Sequence, residues 1–161
     1  MSHTFGQCQG TATRHLPPQV GRPIAYPRGP FHADLTPTVW TKLRGQAPGP
    51  LFLGLLTRPP NPDGDHYEEL RLPGGERPPL EITPLDGRYE TNANHVSFAI
   101  PAGSPPVLHI GLFDAEGVLR YYGRLVSTRS AIGPALAFEF RPYAIRLIRL
   151  RPQDVAVSAR F

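Results

Sequence analysis

His109-Ile110-Gly111-Leu112-Phe113-Asp114-Ala115-Glu116-Gly117-Val118-Leu119-Arg120-Tyr121-Tyr122-Gly123-Arg124-Leu125 decides the fold class of this chain. Two apolar runs, over 107–113 and 118–126, flank Asp114-Ala115-Glu116-Gly117. Those four residues spell a type I turn closed by glycine, a common longer hairpin connection. The second run therefore returns antiparallel to the first.

Similar short runs lie on both sides of this hairpin. Residues 51–57 (Leu51-Phe52-Leu53-Gly54-Leu55-Leu56-Thr57) are continuously apolar, as expected of a buried strand. In 95–100, Val96, Phe98 and Ile100 alternate with Ser97 and Ala99, which places the apolar set on one face. Residues 135–140 alternate in the same way, 143–150 read as a last long strand, and Val155 and Val157 read as a short edge. Between them, 59–65 is a loop by every turn criterion. Residues 66–94 are harder to divide. His66 to Leu72 reads as a strand, Pro73-Gly74-Gly75 as a turn and Leu80 to Thr83 as a short strand. Six to eight short strands at intervals of roughly ten residues describe an all-β, antiparallel β-sandwich or barrel-like body. One short helix precedes it. Thr36-Pro37 offers an N-cap and a first-turn proline, Val39, Trp40 and Leu43 form one apolar stripe, and Gly45 suits the left-handed C-terminal position.

Composition agrees with this class. Among 161 residues are 21 Pro and 16 Gly, which leaves little room for long helices or for a doubly wound α/β fold. No apolar run approaches membrane-spanning length, and the N-terminus lacks a basic-then-apolar signal peptide. One cysteine, Cys8, excludes an internal disulfide and a thiolate metal cluster.

Residues 1–33 read as a separate, extended, proline-rich docking arm, and 34–161 as the β-sandwich body. Pro17, Pro18, Pro23, Pro27 and Pro30 bias their predecessors toward extended geometry. Leu16, Val20, Ile24, Tyr26 and Phe31 occur singly, with no sustained period. Such a segment buries too little apolar surface to order itself. Either it wraps its own body or neighbouring molecules hold it, and the second is the expectation here. The arm carries Arg14, Arg22 and Arg28 and no carboxylate, so three positive charges of the net +4 lie there. Its expected partner contacts are Arg14, Pro17, Pro18, Arg22, Ile24, Tyr26, Arg28 and Phe31. The cations are 16 Arg against Lys42 alone. Arginine favours bidentate and stacked contacts, although a GC-rich genome produces the same bias without physical purpose.

The sequence offers no nucleophile elbow, phosphate loop, dinucleotide fingerprint or zinc-protease helix, and the chain is read as a non-enzyme without cofactor. Asp63, Asp65, Glu68 and Glu69 are oxygen ligands at short spacing but lack the full calcium-loop pattern, so no metal is assigned. The six histidines show no ligand spacing. Arg141, Arg146, Arg149 and Arg151 precede the next acid, Asp154. Beside Tyr143 they could be a phosphate-tracking stripe, a solvated sheet face or a surface for an acidic protein. A net charge of +4 is low for a dedicated nucleic-acid binder. Arg146, Arg149 and Arg151 are therefore taken as a second protein interface.

Four stretches resemble a family of small bacteriophage virion proteins usually described as tail-fibre-like. They are the helix Val39-Trp40-Thr41-Lys42-Leu43-Arg44-Gly45, the strand and loop over 51–60, the strand Val96 to Pro101, and, closest, the hairpin over 109–125. The family's glycine–tyrosine motif after the first loop is replaced here by Leu72-Pro73-Gly74-Gly75. The resemblance spans about two thirds of the chain and leaves out the arm. It implies a non-enzymatic particle component.

The combined expectation is a bacteriophage virion structural protein, a capsid decoration or cement subunit whose arm docks it on neighbouring virion proteins. Its partners are the major capsid protein or tail proteins, with a homo-oligomer expected and a trimer compatible with it. No membrane is expected, nucleic acid is disfavoured, and the location is the virion, assembled in the host bacterial cytoplasm. Two alternatives are a tail-fibre or tail-associated subunit, and a receptor- or carbohydrate-binding module using Tyr67 and Tyr89.

Overall fold

In a computed structural model, the structure describes residues 33–129 and 136–158. The fold is mostly β and sandwich-like, with a mixed multi-stranded sheet and two short helices. The elements are β1 (Ala33–Pro37), α1 (Val39–Arg44), β2 (Leu51–Arg58), β3 (Glu68–Glu69), β4 (Pro79–Leu80), β5 (Ile82–Asp86) and β6 (Tyr89–Asn92). They continue with β7 (Val96–Ile100), β8 (Val107–Phe113), β9 (Leu119–Arg129), β10 (Leu136–Phe140), β11 (Ile145–Ile148) and α2 (Pro152–Ser158).

The decisive hairpin is β8–β9. Asp114 N–H donates to Val118 O and Gly117 N–H to Asp114 O, each at 3.0 Å. Gly117 takes the left-handed conformation at φ 82°, which only glycine adopts without strain. β2 adds antiparallel to β8, from Phe52 opposite Phe113 to Leu56 opposite His109. The large sheet runs β3-β2-β8-β9-β1-β11-β6-β5, with β4 also on β2. β7 and β10 form a separate two-stranded sheet. Val96, Phe98 and Ile100 from β7 join Phe138 and Phe140 in one core cluster with Leu35, Leu53, Leu55, Ile110, Leu112, Tyr121, Ile145 and Leu147. Phe98 meets Phe140 edge-on at 6.3 Å between centroids. Alternation in β7 thus buries one face and exposes Ser97 and Ala99, as the sequence pattern requires.

Several sequence expectations are corrected. Residues 33–37, read as the arm's end and the helix cap, form an interior strand. β1 pairs parallel with β11 and antiparallel with β9, and Leu35 is fully buried. The helix cap is Thr38, not Thr36; its hydroxyl accepts from Thr41 N–H, and Pro37 ends β1. Nor does α1 bury its apolar stripe. Trp40 and Leu43 are 41% and 44% exposed, whereas Thr41 is buried and donates its hydroxyl to Arg120 O at 2.8 Å. α1 sits at the sheet's end, held by Thr38 and Thr41 hydroxyls on the carbonyls of Leu119 and Arg120.

Val155 and Val157 belong to α2 rather than an edge strand, because Pro152 opens a helix and Asp154 Oδ2 accepts from Arg151 N–H. The last strand is only Ile145–Ile148, since Tyr143 at φ 68° leaves the extended region. The strand expected over 66–72 shrinks to Glu68–Glu69, with His66 at φ 61° before it. The short strand expected over 80–83 is split between β4 and β5, and β5 pairs with β6 in a hairpin over 82–92.

Candidate functional site

The expected arm contacts Arg14, Pro17, Pro18, Arg22, Ile24, Tyr26, Arg28 and Phe31 lie outside the described residues. What the structure describes is the strand that follows residues 1–32 in the chain. β1 is an inner strand of the large sheet. Its backbone lies so close to β9 that a Cβ on Gly123 would stand 2.2 Å from Asp34 O and 2.7 Å from Leu35 Cδ2. Glycine at 123 is therefore the condition for β1 to seat.

The structure places the three residues of the second expected interface, Arg146, Arg149 and Arg151, in different surroundings. Arg146 makes a bidentate pair with Asp34 on β1, Nε to Oδ1 at 2.9 Å and Nη2 to Oδ2 at 2.7 Å, and its guanidinium lies 4.7 Å from the Tyr89 ring centroid. The Asp34 carboxylate holds the Arg146 pKa above its usual value. This cation is thus a cross-strand staple between β1 and β11. Arg149 is exposed and its N–H donates to Arg88 O at 2.7 Å. Arg151 is exposed at the start of α2. Arg146 belongs to the sheet itself, while the side chains of Arg149 and Arg151 are left outward.

Sequence reasoning missed the residue that organises the neighbouring turn. Asn92 is fully buried at the end of β6. Its Nδ2 donates to Arg141 O at 2.8 Å and Asn94 O at 2.9 Å, and its Oδ1 accepts from Ile145 N–H at 2.8 Å. Its own carbonyl accepts Tyr143 N–H at 2.8 Å. One amide therefore grips both ends of the 141–145 turn. Thr91 adds its hydroxyl to Ile145 O at 2.8 Å. The only sequence signal was an Asn inside an otherwise unreadable stretch, which is as common in turns as in cores.

A shallow groove of about 420 Å³ lies between the 71–77 segment and the hairpin tip, lined by Phe52, Arg71, Glu76, Arg77, Asp114 and Glu116. Two of its charged side chains, Arg77 and Asp114, are engaged. Arg77 pairs with Glu69 through two 2.7 Å bonds and stacks 3.7 Å from the Phe113 centroid, which Tyr67 meets edge-on at 5.7 Å. The hydrogen bond to Glu69 raises the Arg77 pKa against the opposing effect of burial. Asp114 pairs with Arg120 at 2.6 Å, and both are over nine-tenths buried. Burial pushes the Asp114 carboxyl up, but hydrogen bonds from Val118 N–H, Arg120 and Glu116 N–H outweigh it and leave the pKa below its ordinary value.

Tyr67, in the loop before β3, and Tyr89, on β6, the expected receptor contacts, are both half-buried against neighbours. Glu68 pairs with Arg58 and Glu69 with Arg77. No group of three His, Cys, Asp or Glu side chains that could hold an ion occurs among the described residues. His109 is partly buried, its Nδ1 has no hydrogen-bond partner, and burial followed by the nearby Arg124 charge lowers its pKa. Among the described residues, no helix is long and apolar enough to cross a membrane. No family model, curated protein or solved structure matches this chain.

Proposed function

We propose that this chain is a bacteriophage virion structural protein, a capsid decoration or cement subunit that docks on neighbouring virion proteins through residues 1–33. The observation that carries this reading is the seat of β1. The residues that follow the arm are held on both sides by β9 and β11, and the Asp34–Arg146 pair locks them to β11. Tension on the arm passes into the centre of the large sheet rather than into a frayed edge. A cement protein that bridges subunits needs such an anchorage. The proline-laced arm loses less entropy on ordering than a flexible one, and its arginines complement an acidic lattice surface.

The test uses particles produced without this chain. Full-length protein is expected to co-sediment with them, and a variant lacking residues 1–30 is expected to fold but stay in the supernatant. Equal incorporation of the truncated protein refutes arm docking. Immunogold labelling then separates capsid from tail placement.

A further inference from the structure

The turn between β10 and β11 presents Tyr143 in an unusual way. The residue is 64% exposed, although its backbone sits at φ 68°, where any residue with a Cβ is strained. A turn needed only to reverse the chain is better served by glycine. Here the fold instead fixes a large aromatic at the apex. Asn92 grips Arg141 O, Tyr143 N–H and Ile145 N–H from beneath, and Ala144 N–H closes the turn on Arg141 O at 3.1 Å.

The surroundings give the sign of the partner. Arg141, two residues before Tyr143, and Arg149 are exposed, and neither pairs with a carboxylate among the described residues. No acid occurs between Glu139 and Asp154. Tyrosine and arginine dominate protein interface hot spots, and a turn whose backbone is hydrogen-bonded in advance loses little backbone freedom on binding. Binding to a nucleic-acid strand calls for a track of cations and stacked aromatics. The structure gives one apex instead, and it pairs the next cation along the strand, Arg146, with Asp34.

We propose that the Tyr143 turn is a second docking point, one that inserts the Tyr143 ring into an apolar socket rimmed by carboxylates on a protein partner. Arg141 supplies the complementary charge. This inference rests on the virion-docking reading and moves the second interface from Arg146 to Tyr143 and Arg141.

The probe is particles produced without this chain, with binding measured by co-sedimentation and folding by thermal melting. Tyr143→Gly relieves the backbone strain, so it is expected to melt about 3 °C higher and yet bind about 30-fold more weakly. Arg141→Glu is expected to weaken binding and to reduce its dependence on salt. Wild-type affinity in Tyr143→Gly, with binding still abolished by removal of residues 1–30, overturns this inference and leaves arm docking standing. Failure of the unaltered protein to bind overturns both. A single-stranded oligonucleotide retained by the wild type and lost by Tyr143→Gly assigns the turn to nucleic acid and overturns the protein partner.

Discussion

Replacing Gly123 with alanine tests how β1 is anchored. The new Cβ stands 2.2 Å from Asp34 O and 2.9 Å from Asp34 C, both backbone atoms of β1. An ordinary carbon–oxygen contact needs roughly 1 Å more. No rotamer change supplies it, so β1 must move away from β9. That movement loosens the pairing of Ala33, Thr36 and Pro37 with Leu125, Tyr122 and Tyr121, and it draws Leu35 from the core. Overpacking of this kind costs about 3 kcal/mol, the upper part of its usual range. Gly111→Ala is the internal control. Its Cβ also meets an atom at 2.5 Å, but that atom is the Leu119 Cδ1 tip, which can rotate aside. A loss of about 1.5 kcal/mol is expected there. Urea unfolding followed by circular dichroism gives both values, and the Gly123 variant is expected to melt about 10 °C lower. Amide exchange at residues 33–37 is expected to accelerate before that of β2 and β8. A Gly123→Ala protein within 0.5 kcal/mol of the parent, with β1 still protected, refutes the reasoning.

Three further outcomes follow from the same geometry. Asn92→Ala removes three side-chain hydrogen bonds and strands Ile145 N–H, and it is expected to destabilise by about 3 kcal/mol in urea titration. Asp114 has a folded pKa below its unfolded value, so its contribution is complete above about pH 4 and is lost as pH falls through the folded pKa. Asp114→Asn is therefore expected to be less stable at pH 7 and to show a flatter acid limb below pH ~4 in melting profiles. Arg77→Lys loses the bidentate Glu69 contact and the stack on Phe113, with a loss of about 1–2 kcal/mol by chemical denaturation. Near-parental stability in that variant counts against an energetic role for the pair.

The readable parts of the sequence were those where local chemistry and packing agree. The 109–125 hairpin was legible because a turn with its own hydrogen bonds separates two apolar runs. β7 was legible because strict alternation matches a half-buried strand. Residues 33–37 were not, because Ala-Asp-Leu-Thr-Pro is too short and mixed to signal a strand. Its strand character comes from ladders to residues about ninety and more than a hundred positions away. The helix cap was misplaced by two residues for the same reason, since Thr38 is fixed by the carbonyl of Leu119. Arg146 looked like a free interface cation because its partner, Asp34, is distant in sequence.

The sequence by itself determined the β class, the hairpin at its centre and the scarcity of helix. These follow from proline and glycine frequency, period-two patterning and turn residues, all of which act over a few neighbouring positions. The tertiary structure alone decided that β1 lies inside the sheet, that Arg146 is bound to Asp34, and that Asn92 holds the turn that carries Tyr143. Each of these depends on a contact between segments remote in the chain. Only the closed fold brings a carbonyl of residue 34 against a glycine at 123, or one buried amide beneath both ends of a turn fifty residues away.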